Sequence, residues 1–181
     1  MKLTEKTISA SYIFKGRIIN LRVDKAELPN GNIADREVVE HPGGVCVAAL
    51  TEDDCLLFVR QFRYPYGEEL LELPAGKRDP GEEPLATGKR ELKEETGCTA
   101  KHFRSLGRVY PTPGYIDEVI YLYLATDLTQ GKTNPDEDEF LEIEKIPLTD
   151  AVRMVMEDTF TDAKTQIAVL KIWQLCQNGE I

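Results

Sequence analysis

The chain has 181 residues, 41% of them hydrophobic, and a formal net charge of −10. That supplies enough apolar material for a packed core and enough length for one large domain with a small appendage, and it excludes an intrinsically disordered chain. So acidic a balance argues against non-specific binding to nucleic acid or to an anionic membrane, and an anionic ligand must then be met by local cations or a metal.

Residues 1–40 mix β-branched and aromatic residues with alternating polar ones, the period-2 pattern of strands, and the Asn-Gly pair at 30–31 predicts a tight hairpin turn. A small antiparallel unit over 1–41 is expected, followed by a main domain over 42–181. There the run 45–65 predicts two strands around a turn at 51–54, and 67–76 a short strand entering a loop. Pro84 suits the first turn of a helix and Gly97 the position just past its end, so a helix is expected between them, with Leu85 and Leu92 marking its buried face. Strands are expected at 121–128 and 140–147. Two late helices follow, one capped by Thr149 and one over 162–178 stopped by Gly179. Residues 129–139 form a polar, acidic loop. Cys46, Cys55, Cys98 and Cys176 form no CxxC pair, and only two histidines accompany them. Free thiols in a reducing cytoplasm are therefore expected. No signal-peptide pattern or run of about 20 apolar residues is visible, so neither a membrane nor nucleic acid is expected as a partner.

The middle helix breaks a local rule. Glu91 and Glu95 stand at i, i+4, and Glu94 joins them on the same side. Like charges at that spacing destabilise a helix by a few tenths of a kcal/mol, and these sit in the last turns, where the helix dipole also disfavours them. Lys89, Arg90 and Lys93 offer one explanation, a solvated and balanced charged face. The other is a site. Converging carboxylates without histidine or cysteine make a hard oxygen donor set suited to Mg2+, with Mn2+ as a substitute.

The spacing outside the helix favours the site. Gly76, Glu82, Arg90, Glu91, Leu92, Glu94, Glu95 and Gly97 fall in the register of the Nudix box, with Cys98 where a bulkier aliphatic residue is usual. The segment thus resembles the Nudix hydrolase family. The resemblance implies an α/β (α+β) fold, a mixed sheet sandwiched between helices, here with the added N-terminal strand unit. It implies a metal-dependent hydrolase of nucleoside diphosphates linked to another group. It also implies metal ligands at Glu91, Glu95 and the Ala75 carbonyl, with Glu94 close by, Glu82 supporting, and Arg90 orienting a box carboxylate.

The "YPTPGY" motif with Pro113, "RQFRYPYGEELLELPAG" and "DAKTQIAVLKIW" resemble the ADP-ribose pyrophosphatase branch. That branch implies cleavage of ADP-ribose to AMP and ribose 5-phosphate by a homodimer that exchanges its N-terminal units. Ile18 and Arg36 then fall at the adenine, Arg63 at the diphosphate, and Glu137 as catalytic base, with Glu139 as the alternative. Another nucleoside diphosphate sugar as substrate, or a non-catalytic nucleotide sensor on the same fold, are the competing expectations. No box glutamate is lost, as such a sensor would allow.

Overall fold

The computed structural model describes residues 3–134 and 140–181 and divides into two units, one formed by Met1–Gly43 with Tyr110–Val119, the other by Gly44–Val109 with Ile120–Ile181. In the first unit β1 (Lys6–Lys15), β2 (Asn20–Glu27) and β3 (Ile33–Glu40) make an antiparallel sheet in that order. The Asn-Gly pair turns the chain between β2 and β3. Gly31 takes φ 84°, and the Asn30 side chain accepts the Asn32 N–H at 3.0 Å. Tyr110–Val119 joins the unit through Val39, whose N–H donates to Tyr115 O (2.8 Å) and whose carbonyl accepts the Asp117 N–H (3.1 Å). All ten residues of β1 are exposed, among them Ile8, Tyr12, Ile13 and Phe14.

The second unit is built on a mixed sheet. It contains β4 (Gly44–Leu50), β5 (Cys55–Arg63), β8 (Cys98–Val109), β9 (Ile120–Gln130) and β10 (Glu142–Pro147) in the order β10-β5-β4-β9-β8. The short strands β6 (Glu68–Glu72) and β7 (Ala75–Lys77) pair with β5 and β4. β4 and β9 are parallel, and the other pairs are antiparallel. Strand periodicity sorts the central β4 into two cores. Cys46 and Ala48 join Leu56, Phe58 and Phe160 with α2 (Leu148–Met156) and α3 (Ala163–Gln177), where the Phe58 and Phe160 rings stack at 5.0 Å. Val45, Val47 and Ala49 pack on the opposite face with Leu92 of α1 (Pro84–Thr96). Helices therefore lie on both faces of the sheet.

α1 comes unusually close to that sheet. A Cβ added at Gly88 would lie 3.1 Å from both Val45 Cγ1 and Val47 Cγ2. The helix starts with Pro84 and ends at Gly97, at φ 74°, whose N–H returns to Lys93 O. Its buried face differs from the expected leucine pair. Leu92 is fully buried but Leu85 is 36% exposed, and Thr87, Gly88, Glu91, Glu95 and Thr96 are buried instead. Two further expectations need correction. Thr149 does not cap α2, which begins one residue earlier at Leu148 and has no side-chain cap. The N–H of Leu148 is satisfied by Asp54 O at 2.9 Å. The long strand β8 was not anticipated, because its apolar residues recur every third position, at 100, 103, 106 and 109. The strand also carries an irregularity between Ser105 and Gly107, with Gly107 at φ 99°. Cys46, Cys55 and Cys98 are buried, Cys176 is half-buried, and all four are free thiols. Among the described residues no helix is long and apolar enough to cross a membrane.

Candidate active site

Two pieces of backbone hold the box. β7 is pinned to β4 with Gly76 opposite Val45, and Pro74 O accepts the Val47 N–H at 2.8 Å. α1 then carries the acids back over this strand. Arg90 gathers them. Its Nε and Nη2 donate to the two carboxylate oxygens of Glu82 (3.1 and 3.0 Å), and its Nη1 donates to Glu91 Oε1 (2.7 Å) and Glu94 Oε2 (3.0 Å). Nη2 also reaches Lys77 O at 3.2 Å. A planar fork with five donors suits this task, which a lysine ammonium would not perform. The Arg90 hydrogen bonds draw the Glu82 carboxyl down to about 2 against the opposing effect of burial, helped by the Thr87 hydroxyl and the Asp79 N–H. Arg78 fixes the preceding turn by donating to Glu82 O (2.6 Å from Nη2), and its guanidinium lies 5.6 Å from the centre of the Tyr121 ring.

Glu91 and Glu95 are the buried acids of the group, 8% and 3% exposed. Glu95 Oε2 accepts the Ala75 N–H at 3.0 Å. Glu91 fills the space left by the missing side chain of Gly76, since a Cβ there would lie 1.9 Å from its carboxyl carbon. The sequence-predicted Ala75, Glu82, Arg90, Glu91, Glu94 and Glu95 thus form one connected cluster. Four carboxylates face one guanidinium, so negative charge remains in surplus, and all the donors are hard oxygens. This donor set fits a divalent cation such as Mg2+. Among the described residues no group of three His, Cys, Asp or Glu side chains is already arranged as a coordination shell, and Arg90 and the Ala75 N–H hold carboxylate oxygens in its place.

Arg63 lies in a second ionic group, which sequence reasoning missed. Its Nε donates to Glu72 Oε1 (3.1 Å) and its Nη2 to Glu72 Oε2. Glu72 also takes Lys164 Nζ at 3.2 Å, and Lys164 in turn meets Asp162 at 2.9 Å. Burial works against the Lys164 ammonium, but Asp162 and then Glu72 outweigh it and hold its pKa above the usual lysine value. Burial likewise opposes the Arg63 charge, which Glu72 supports most strongly and Glu95 and Asp162 support through space. Arg63 therefore feels one of the box acids, Glu95. The one available signal was Glu72 itself, an acid between Leu71 and Leu73 that is 2% exposed in the fold.

In the first unit, Arg36 and Pro113 line a shared cavity, whereas Ile18 is exposed and does not line it. Arg36 is bound edge-on by Glu5, a residue with no conspicuous signal in the sequence. Glu137 and Glu139, the two expected candidates for the base, lie outside the described residues.

Comparison with known proteins agrees with this layout. Residues 40–168 match the NUDIX domain, and residues 5–39 match the nucleoside diphosphate sugar hydrolase N-terminal domain. The chain is 44% identical to an ADP-ribose pyrophosphatase of Bacillus subtilis over 92% of its own length and 91% of the relative's. It is 42% identical to a methanol dehydrogenase activator of Bacillus methanolicus, covering 91% and 90% of the two chains. In fold it is similar to a crystal structure described as an ADP compounds hydrolase, with a TM-score of 0.86, 23% identity and full coverage of both chains.

Proposed function

Since the chain belongs to the Nudix family and is a Nudix hydrolase, we propose that it cleaves the diphosphate of ADP-ribose, adding water to give AMP and ribose 5-phosphate. The observation that carries this assignment is the box cluster, in which Arg90 orients Glu82, Glu91 and Glu94, and Glu91 and Glu95 are buried on a helix that would otherwise shun them. The name of the Bacillus subtilis relative supports ADP-ribose as the substrate. So does the match of residues 5–39 to the N-terminal domain of nucleoside diphosphate sugar hydrolases.

Glu91, Glu95 and the Ala75 carbonyl, with Glu94 and Glu82 in support, would hold Mg2+ or Mn2+. Such an ion would neutralise diphosphate oxygens and lower the pKa of a bound water. The residues of the chain supply the rest. Arg63, braced on Glu72, meets the diphosphate charge. Arg36 takes the adenine, and Pro113 shapes the cavity beside it. Glu137 removes the proton of the attacking water, whose oxygen bonds to one phosphorus while the bridging oxygen leaves with the other phosphate. The exposed apolar strand β1 supports a homodimer that exchanges its N-terminal units. Light scattering should then report twice the chain mass of 20.4 kDa.

The decisive experiment is a hydrolysis panel of ADP-ribose, other ADP-, UDP- and GDP-sugars, NADH and nucleoside triphosphates, run with Mg2+ and with Mn2+. ADP-ribose should give the highest kcat/KM. A better guanosine or uridine diphosphate sugar would overturn the substrate, and a protein inert towards the whole panel would favour a sensor.

A further inference from the structure

The cavity in the first unit has a volume of about 360 Å3, at the lower end of the range for small-molecule pockets. Its lining sets the apolar side chains of Ala26, Val38, Pro113 and Tyr115 among several charged ones, of which Glu5 and Arg36 are paired with each other. The pairing constrains what Arg36 can do. Nε and Nη2 of Arg36 donate to Glu5 Oε2 and Oε1 at 2.8 and 2.7 Å, and Nη1 donates to Asp35 O at 3.0 Å. Three of the five guanidinium N–H groups are therefore spent on the protein, from two of its edges. A guanidinium that binds phosphate needs such an edge free, whereas one that stacks on an aromatic ring needs only a face. Here the Nε/Nη2 edge is occupied by Glu5, and the faces are not consumed by these bonds.

Resting on the assignment of Arg36 to the base, we propose that Glu5 is the positioning residue of base recognition. Its carboxylate holds the Arg36 guanidinium flat in the cavity, so that a planar purine stacks on it against the apolar lining. The hydrogen bond from Arg36 also draws the Glu5 carboxyl below the usual carboxylate range, which keeps the pair ionised at neutral and mildly acidic pH. Both side chains are solvent-exposed, so the pair contributes little to folding, and its geometry is free to serve a ligand.

The test uses the full-length protein with Mg2+ and the variants Glu5→Ala, Glu5→Asp and Arg36→Ala, together with the double variant Glu5→Ala/Arg36→Ala. Steady-state kinetics on ADP-ribose are paired with calorimetric affinities for AMP and for ribose 5-phosphate, which lacks a base. Glu5→Ala should raise KM and the AMP Kd about 3- to 10-fold, as expected when the ligand itself must order a rotamer-rich side chain. Its kcat should stay within about 2-fold, ribose 5-phosphate affinity should not change, and Glu5→Asp should recover part of the loss. The double variant should bind AMP no more weakly than Arg36→Ala alone, because Glu5 acts only through Arg36. Unchanged or tighter AMP binding in Glu5→Ala overturns the proposal, as do additive losses in the double variant. If the unmutated protein hydrolyses no nucleoside diphosphate sugar, the activity assignment falls, while AMP binding still decides the role of Glu5.

Discussion

Gly76→Ala separates the fold from the chemistry. The new Cβ would stand 1.9 Å from the carboxyl carbon of Glu91 and 2.0 and 2.3 Å from its oxygens. Non-bonded carbons prefer about 3.5 Å, so the carboxylate must retreat by roughly 1.5 Å. The backbone of β7 cannot yield in its place, because it is paired with β4. Gly76 has no positive φ to lose, so alanine adds bulk and no backbone strain. The displaced group is the far end of a flexible side chain, and an off-rotamer glutamate costs about 1 kcal/mol, or about 2–4 °C in Tm for a domain of this size. Activity should suffer far more, since a misplacement of about 1 Å at a reacting centre can cost ~100-fold. Thermal melts and kcat/KM on ADP-ribose at saturating Mg2+ read the two effects separately. Turnover within about 3-fold of the unmutated protein would refute the role of Gly76 as the seat of Glu91. A Tm loss beyond about 10 °C would show that the strand gives way and not the carboxylate.

Glu95→Gln should abolish nearly all turnover without lowering Tm, because it removes a charged group and also relieves like-charge repulsion along α1. Retained turnover at high Mg2+ would contradict its assignment. Glu137→Gln should cut kcat by about 10²–10⁴-fold with little change in substrate binding, and a larger loss in Glu139→Gln would move the base by two residues. The pairing of Glu82 should also show in acid. Its folded pKa is lowered to about 2 from 4.5, so its stabilisation is complete above about pH 4.5 and fades as pH falls towards 2. The Tm gap between the unmutated protein and Glu82→Gln should therefore be constant near neutrality and narrow by pH 3. A gap that widens in acid would show the opposite sign of coupling.

The box was legible because its residues offend local rules. Glutamates at i, i+4 in the last turns of a helix need a reason, and the glycine at 76 with the arginine at 90 supply it. The strand pattern of β4 and the Asn-Gly hairpin were legible for the ordinary reason that period and turn chemistry agree. Features made by tertiary pairing were not. Lys164 meets Glu72 across 92 residues, and no local pattern records that meeting. Tyr110–Val119 groups with a strand some seventy residues earlier through the backbone of Val39. In β8 the apolar residues at 100, 103, 106 and 109 fall outside the period that announces a strand.

The close approach of α1 at Gly88 links tolerance of substitution to distance from the chemistry. Position 88 touches no substrate, yet its missing side chain sets the height at which the helix rides above Val45 and Val47. Glu91 and Glu95, one and two turns further on, ride with it. In a saturation mutagenesis map scored by growth or turnover, position 88 would look like part of the active site, while scored by abundance it would look like an ordinary packing position. The box would thus extend, in genetic terms, to a residue that serves only as a spacer between the sheet and the acids above it.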